Sequence, residues 1–256
     1  MKNGTVAKDR PVLSLSKVSK RFGGVVAANE VTFDLYAGEV FGLIGPNGAG
    51  KTTLINLITG VTPADEGEIT LQGRNITQLP THTRAKLGIV RTFQHPRILD
   101  RCDVYTNLAV GADLAGRRRV SSRNGREDRL EQLLDLAGLT EINLNDSIDK
   151  LSYGQQKLLE VVRAMLSQPL VLLLDEPAAG LNRAEMDHVV KLIKLATQEN
   201  IAVLLIEHAM DLVMNNCHRV TVLNFGQQIA TGTPEEVQSD PEVIRAYLGG
   251  AAHAAR

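Results

Sequence analysis

Tryptophan is absent from this chain of 256 residues, and aromatic side chains make up only 4% of it. Aromatic positions are therefore few enough to be weighed one by one. Charge of one sign is also lacking: 28 basic residues stand against 29 acidic ones. That balance excludes a global field that would draw the protein to nucleic acid or to anionic lipid. Long hydrophobic runs are missing. The longest, Leu170 to Leu174 and Ile201 to Ile206, are five and six residues, against the roughly 20 that cross a bilayer. There are two cysteines, Cys102 and Cys217, without metal-ligand spacing, so neither a zinc site nor a disulfide framework is expected. The opening MKNGTVAKDRP has no apolar signal core. A soluble, cytosolic protein with two free thiols is expected, attached to a membrane only through a partner.

What is present is a chain long enough to bury a sizeable core, as one large domain or two small ones. Its most informative stretch is Gly45 to Thr53, GPNGAGKTT, set between the apolar run Val40 to Ile44 and the helical pattern beginning at Leu54. Strand, glycine-rich turn and helix start together surround one anion with backbone N–H groups and a positive helix end. This is a phosphate-binding P-loop in its proper context. Gly45, Gly48 and Gly50 let the backbone come close, Pro46, Asn47, Ala49 and Thr53 complete the loop, and Lys51 reaches the outer phosphates. The Thr52 hydroxyl is placed to hold a magnesium ion. Gly60 and Pro63 close the following helix. A tight glycine turn in any α/β protein would leave Lys51 unexplained.

The periodicity changes along the chain. From Val12 to Tyr36 apolar and polar residues alternate, which predicts half-buried antiparallel strands. By contrast VFGLI, LVLLLD and IAVLLIE are apolar on both faces and belong in a central covered sheet. Helical, charged segments follow from Asp103 to Leu114 and from Glu127 to Ala137, which predicts an inserted helical subdomain. Beyond Leu204 come a short helix at Met210 to Asn216, a strand pair across Phe225-Gly226, and one closing helix from Glu235 to Leu248. The expected division is a flexible terminus at 1–10, an ATP-binding core at 11–95 and 151–234, a helical subdomain at 96–150, and a C-terminal helix and tail at 235–256.

Two further motifs carry chemistry. Leu170 to Pro177 reads LVLLLDEP, a buried strand that delivers two carboxylates at its C-terminal end, where open α/β sheets present their sites. Asp175 is placed to hold magnesium through water, and Glu176 to polarise a water attacking the γ-phosphate. Leu151 to Gln156 reads LSYGQQ and begins an amphipathic helix stopped by Pro169. Ser152 is a helix cap, yet its hydroxyl and the Gly154 amide are also suitable donors to an anion, with Gln155 beside them. One chain thus offers two phosphate-binding helix ends. That makes sense if two chains pack head to tail, each nucleotide held between one P-loop and the partner's LSYGQQ.

With these motifs in order, the chain resembles the nucleotide-binding subunit of an ABC transporter from about Val12 to Gly249. The resemblance implies an α/β fold with a P-loop ABC ATPase core, a RecA-like mixed sheet carrying an antiparallel β layer and an inserted helical subdomain. It implies ATP and Mg2+ as cofactors. Phe22 in KRFGG matches the aromatic that stacks on adenine, a contact worth about 1–3 kcal/mol. Gln94 in RTFQ matches the glutamine that touches magnesium and senses the transmembrane partner, and His208 matches the switch histidine at the γ-phosphate. Ala178 to Asn182 matches the loop that crosses the dimer axis. Two positions depart from the usual pattern: Asn182 stands where many members have Asp, and Tyr153 where the commonest form has Gly. Neither removes the Ser152 or Gly154 donors.

RTFQ, LSYGQQ, DEPAAGLN, IEHAM and the terminal VIRAYLGG are similar to the ATP-binding subunits of branched-chain amino acid importers. Subunits for urea or amide import, or for lipopolysaccharide export, share much of the pattern. The resemblance implies a dimer, homo- or heteromeric, on two transmembrane permeases at the inner face of the membrane. A solute-binding protein is involved only indirectly, no nucleic acid is expected, and the transported substrate never touches this chain. Outside transport, soluble ABC clamps of translation or repair carry two cassettes or a long coiled coil, and this chain has neither. A nucleotide sensor without turnover would not need Glu176 and His208. The basic run Arg117-Arg118-Arg119 reads as a solvated loop, with contact to anionic headgroups the other reading, at about 1 kcal/mol per charge.

Overall fold

The computed structural model describes residues 10–116 and 123–253. The frayed start expected over the first residues, the run Arg117 to Arg119 and the last three residues of the tail lie outside the described residues. The chain opens with two long strands, β1 (Leu13–Phe22) and β2 (Val25–Leu35), paired antiparallel. β3 (Val40–Ile44) then leads through the P-loop into α1 (Lys51–Thr59). β4 (Glu66–Leu71), β5 (Arg74–Asn75), α2 (Thr81–Leu87) and β6 (Ile89–Arg91) follow, and then α3 (Val104–Gly116), α4 (Arg123–Leu136) and α5 (Tyr153–Leu166). The remainder is β7 (Val171–Asp175), α6 (Arg183–Gln198), β8 (Ala202–Ile206), α7 (Met210–Asn216), β9 (Arg219–Asn224), β10 (Gln227–Gly232), α8 (Pro234–Ser239) and α9 (Pro241–His253).

Two sheets result. The first, in the order β2-β1-β4-β5, is antiparallel throughout and is the layer that the alternating N-terminal pattern predicts. The second runs β10-β9-β3-β8-β7-β6, parallel from β9 to β6 with β10 as an antiparallel edge. Its middle strands β3, β7 and β8 are buried at every position. Because side chains alternate, one strand feeds two cores. Phe41 and Leu43 face the antiparallel layer, where Phe41 stacks on Phe33 with ring centroids 5.0 Å apart. Val40 and Ile44 face the helices, with Leu172, Leu174, Val203 and Leu205 beside them. Each such buried aliphatic side chain contributes about 1.5–3 kcal/mol.

The C-terminal end of α1 is fixed from outside the helix. Gly60 turns the chain in the left-handed conformation, and the fully buried Arg84 of α2 donates to the Leu57 and Ile58 carbonyls at 2.6 and 2.8 Å. Terminal carbonyls that the helix cannot satisfy therefore meet a cation, the charge that suits this end of the dipole. With one end held, the other end of α1 and the P-loop have a defined place.

The chain end differs from the single closing helix that the sequence predicts. Pro241 cannot continue a helix and pushes Asp240 into extended backbone. Asp240 accepts from the amides of Glu242 and Val243 at 2.7 and 3.3 Å, so α9 starts afresh where α8 stops. Both cysteines are free, Cys217 is buried, and burial pushes its thiol up to about 12. Among the described residues no helix is long and apolar enough to cross a membrane.

α3 and α4 pack on α5, and the contact is closest at Gly111, where an added Cβ would collide with the backbone carbonyl of Arg163. Gly111→Ala gains helix propensity, but the clash with rigid backbone is expected to destabilise the protein by about 1–3 kcal/mol. A urea titration checks this; an unchanged or raised midpoint would show that α3 is not pressed against α5.

Candidate functional site

In the parallel sheet, the C-terminal ends of β3, β6, β7 and β8 lie along one edge. The P-loop leaves β3, Gln94 follows β6, Asp175 and Glu176 end β7, and His208 follows β8. Four segments distant in sequence thus meet because the strands that launch them run in the same direction.

Within the P-loop the three glycines have different duties. Gly45 and Gly50, at φ 151° and 104°, press on protein backbone: a Cβ would strike the carbonyl of Leu223 at the first and of Ala27 at the second. Gly48, at φ 79°, has nothing within 4 Å of its Cβ position and faces open space. Two glycines seat the loop and the third keeps its concave side clear. The N-terminus of α1 has no side-chain cap, Asn47 and Thr52 are exposed at its mouth, and Pro46, Thr53 and buried Ala49 complete the turn. Lys51 is buried, and its Nζ donates to the carbonyls of Gly45 at 2.6 Å and Pro46 at 3.1 Å. Burial lowers its pKa, and the carboxylates of Glu176 and Asp175 oppose the shift. That opposition places both acids within electrostatic reach of the loop.

Asp175 is partnered. Its Oδ2 accepts from Arg91 Nη2 at 2.7 Å, and Arg91 Nη1 donates to Asn56 Oδ1 on α1 at 2.7 Å. Glu176 carries a left-handed backbone, φ 48°. Its Oε2 accepts from Gln94 Nε2 at 2.8 Å, and its Oε1 lies 3.0 Å from His208 Nε2. Gln94, Glu176 and His208, read separately from three motifs, are thus joined in one contact. Among the described residues no cluster of three or more His, Cys, Asp or Glu side chains is arranged for a metal; Thr52, Gln94 and Asp175 carry oxygens, the donor type that Mg2+ prefers. Phe22, at the tip of the β1–β2 hairpin, is 51% exposed, with Lys20 Nζ 5.5 Å from its ring centre.

Ser152 and Gln155 stand apart from this cluster. They line a separate cleft of about 300 Å³ with Asn182, Glu185 and His188. Ser152 caps α5 in a capping box with Gln155, and Asn182 caps α6 in another with Glu185. Asn and Asp are equivalent caps, which explains why Asn182 is accommodated without strain on α6. Gly154 abuts the Glu185 carboxylate, leaving no room for a side chain. The Tyr153 hydroxyl donates to the Gln94 carbonyl at 3.3 Å, and its ring lies against Gly180. Tyr153 therefore fills its position with contacts rather than vacating it.

Three residues of this neighbourhood escape the motif reading: Arg91, Lys157 and Glu207. Arg91 lies within the quoted RTFQ, and Lys157 and Glu207 directly adjoin LSYGQQ and His208. Lys157 also carries a signal, because it falls on the apolar face that α5 shares with Val161 and Met165, and it is 2% exposed. Among the other histidines, His218 Nδ1 accepts from the Val40 amide and His188 Nδ1 pairs with the Leu136 carbonyl. Both serve the scaffold.

Comparison with known proteins agrees with this geometry. The family model "ABC transporter" matches residues 28–179, and that of the "Branched-chain amino acid ATP-binding cassette transporter" matches residues 227–253. The chain is 42% identical over 254 residues to the high-affinity branched-chain amino acid transport ATP-binding protein LivG of Escherichia coli and equally to BraF of Pseudomonas aeruginosa, covering 94% of this chain and 99% of each relative. A probable LivG of Archaeoglobus fulgidus is 36% identical, over 93% and 95%. Among solved structures, the ADP conformation of an ATP-binding cassette of an ABC transporter superposes with TM-score 0.81 at 32% identity, over 94% of this chain and 99% of that one. A nucleotide-free cassette gives 0.80 at 30%, over 93% and 99%.

The glycines separate stability from binding. Gly48→Ala is expected to cost about 1–2 kcal/mol from left-handed backbone alone while ATP affinity falls by about tenfold or more as the methyl enters the anion cradle. Gly45→Ala is expected to lower the melting temperature much further through its backbone clash. Thermal melts with titration of a fluorescent ATP analogue check the pair, and equal stability losses with unchanged affinity for Gly48→Ala would refute the division.

Proposed function

Since the chain belongs to the ABC transporter family of ATP-binding cassettes, we propose that it powers the import of branched-chain amino acids as one of two cassettes on a pair of membrane permeases. It is an ATPase of that family. The observation that carries the reading is the contact of Gln94 and of His208 with the Glu176 carboxylate, at 2.8 and 3.0 Å, at the sheet edge that also launches the P-loop. The substrate class rests on the relatives named above and on the C-terminal match at 227–253.

In this reading Gly45 to Thr53 cradle the phosphates, Lys51 turns from the loop carbonyls to the outer phosphates, and Phe22 stacks on the base. Thr52, Gln94 and Asp175 would hold Mg2+, which when bound would supply charge neutralisation at the phosphates. Glu176 takes the proton of the attacking water, and its two contacts orient it: Gln94 on one oxygen, His208 on the other. Ser152, Gly154 and Gln155 lie away from the chain's own P-loop because they serve the nucleotide of a second, head-to-tail cassette. ATP binding closes the dimer, and product release reopens it. Membrane attachment comes through the permeases, and the amino acid itself is read by them and by a solute-binding protein.

Two measurements test this. Glu176→Gln keeps size and one acceptor oxygen but not basicity, so turnover is expected to fall by about 10²–10⁴-fold with ATP binding intact; retained turnover with bound ATP would sink the assignment of the base. Tagged Glu176→Gln protein with ATP, mixed with detergent-solubilised native membranes, is expected to recover two multispanning permeases by mass spectrometry. Ribosomal or DNA-associated partners without a permease would replace the transport reading with that of a soluble clamp.

A further inference from the structure

Glu176 stands in a backbone conformation that a non-glycine residue adopts only under constraint, φ 48°. Such strain persists where the surroundings over-determine it. The constraint here is traceable atom by atom. The Glu176 amide donates to the Ile206 carbonyl at 2.8 Å. Its own carbonyl accepts from Lys157 Nζ, which reaches across from α5. Two residues on, the Ala178 amide donates to Glu207 Oε1 at 2.7 Å, while the other Glu207 oxygen accepts from the His208 amide at 3.1 Å. The turn from 176 to 178 is therefore gripped at three main-chain points, two of them by buried charged side chains.

Those side chains are costly to bury. Lys157 is 2% exposed and Glu207 4%. Burial pushes the Glu207 carboxyl up and the Lys157 ammonium down, and their attraction for each other opposes both shifts. An apolar pair of the same volume would fill the space as well. What such a pair could not do is donate to the Glu176 carbonyl or accept from the Ala178 and His208 amides.

We propose that Lys157 and Glu207 are positioning residues for the catalytic turn: they hold residues 176–178 in the one backbone arrangement that brings the Glu176 carboxylate to Gln94 and His208. Both act on main-chain atoms of that turn rather than on the carboxylate itself. The proposal rests on Glu176 acting as the base, and Glu176→Gln measured alongside separates the two claims. Because Lys157 belongs to α5, the helix capped by Ser152, it links that helix directly to the main chain of the base.

The test is steady-state ATPase kinetics of the purified full chain with direct titration of ATP binding and a thermal melt. Lys157→Met is expected to lower kcat by about 10²-fold, the cost of misplacing a reacting group by roughly 1 Å, with KM and ATP affinity unchanged. It is expected to add nothing to the loss in a Glu176→Gln background, and Lys157→Arg, which keeps a donor on the carbonyl, is expected to recover most of the rate. Glu207→Gln, with one acceptor oxygen fewer, is expected to lose less than Lys157→Met. Turnover of Lys157→Met within threefold of the parent overturns the proposal. So does loss of folding or ATP binding in both Lys157 variants, which would make the residue a scaffold element. Undiminished turnover in Glu176→Gln alone would instead remove the base assignment on which the proposal stands.

Discussion

Strands β3, β7 and β8 are buried on both faces, and a sheet enclosed in that way can release polar chemistry only at the ends of its strands. Everything else about the molecule follows from this enclosure. The antiparallel layer covers one face and α5 with α6 the other, so the strands run parallel and their C-terminal ends share one edge. A P-loop, two carboxylates, a glutamine and a histidine are then neighbours without any of the loops that carry them being long. Just behind that edge the enclosed interior is a low-dielectric place, where a charge is stable only with a partner.

Charges near the edge accordingly have polar partners. Arg91 meets Asp175, Lys51 meets the P-loop carbonyls, Lys157 meets the Glu176 carbonyl, and Glu207 meets main-chain amides. Glu160, one turn of α5 beyond Lys157, accepts from the amides of Phe93 and Arg97 at 3.2 and 3.1 Å and so anchors the segment on either side of Gln94. Lys51, Lys157 and Glu160 each tie a loop to a helix, and Arg91 joins two strands. Precision at the site is thus inherited from helices and strands, which vary less in position than loops do.

How legible this was from sequence depends on whether a residue's duty is local. The P-loop, the two acids, LSYGQQ and the three apolar strands announce themselves because their patterns are short and their periods simple. His208 could be separated from His188 and His218 only by its place after a buried strand, and the structure gives those two scaffold duties. Lys157 and Glu207 were overlooked because the turn they hold, at Glu176 and Ala178, is reached through main-chain atoms 19 and 29 residues away, which no spacing rule encodes. The break at Asp240 was signalled by Pro241, but an amphipathic pattern running through it disguised two helices as one. The separate roles of Gly45 and Gly48 were not readable at all, since one packs on Leu223 and the other on nothing.

The start of α5 shows why Tyr153 is compatible with a position more often held by glycine. From one helical turn, Tyr153 reaches the Gln94 carbonyl and the face of Gly180, Gly154 receives the Glu185 carboxylate, and Lys157 reaches Glu176. A helix moves as a unit, so these contacts cannot be made or broken independently. If α5 shifts by even an ångström relative to the sheet, the loop bearing Gln94, the turn bearing Glu176 and the loop bearing Gly180 all lose a fixed point together. A glycine in place of Tyr153 would take that ring away from Gly180 and remove one tie to the Gln94 loop, while Glu160 still held the amides on either side of Gln94 and Lys157 the turn at Glu176. The larger side chain therefore tightens the linkage between the end of α5 that carries Ser152 and the edge of the sheet that carries Glu176, without blocking the Ser152 hydroxyl, which lies exposed beside it.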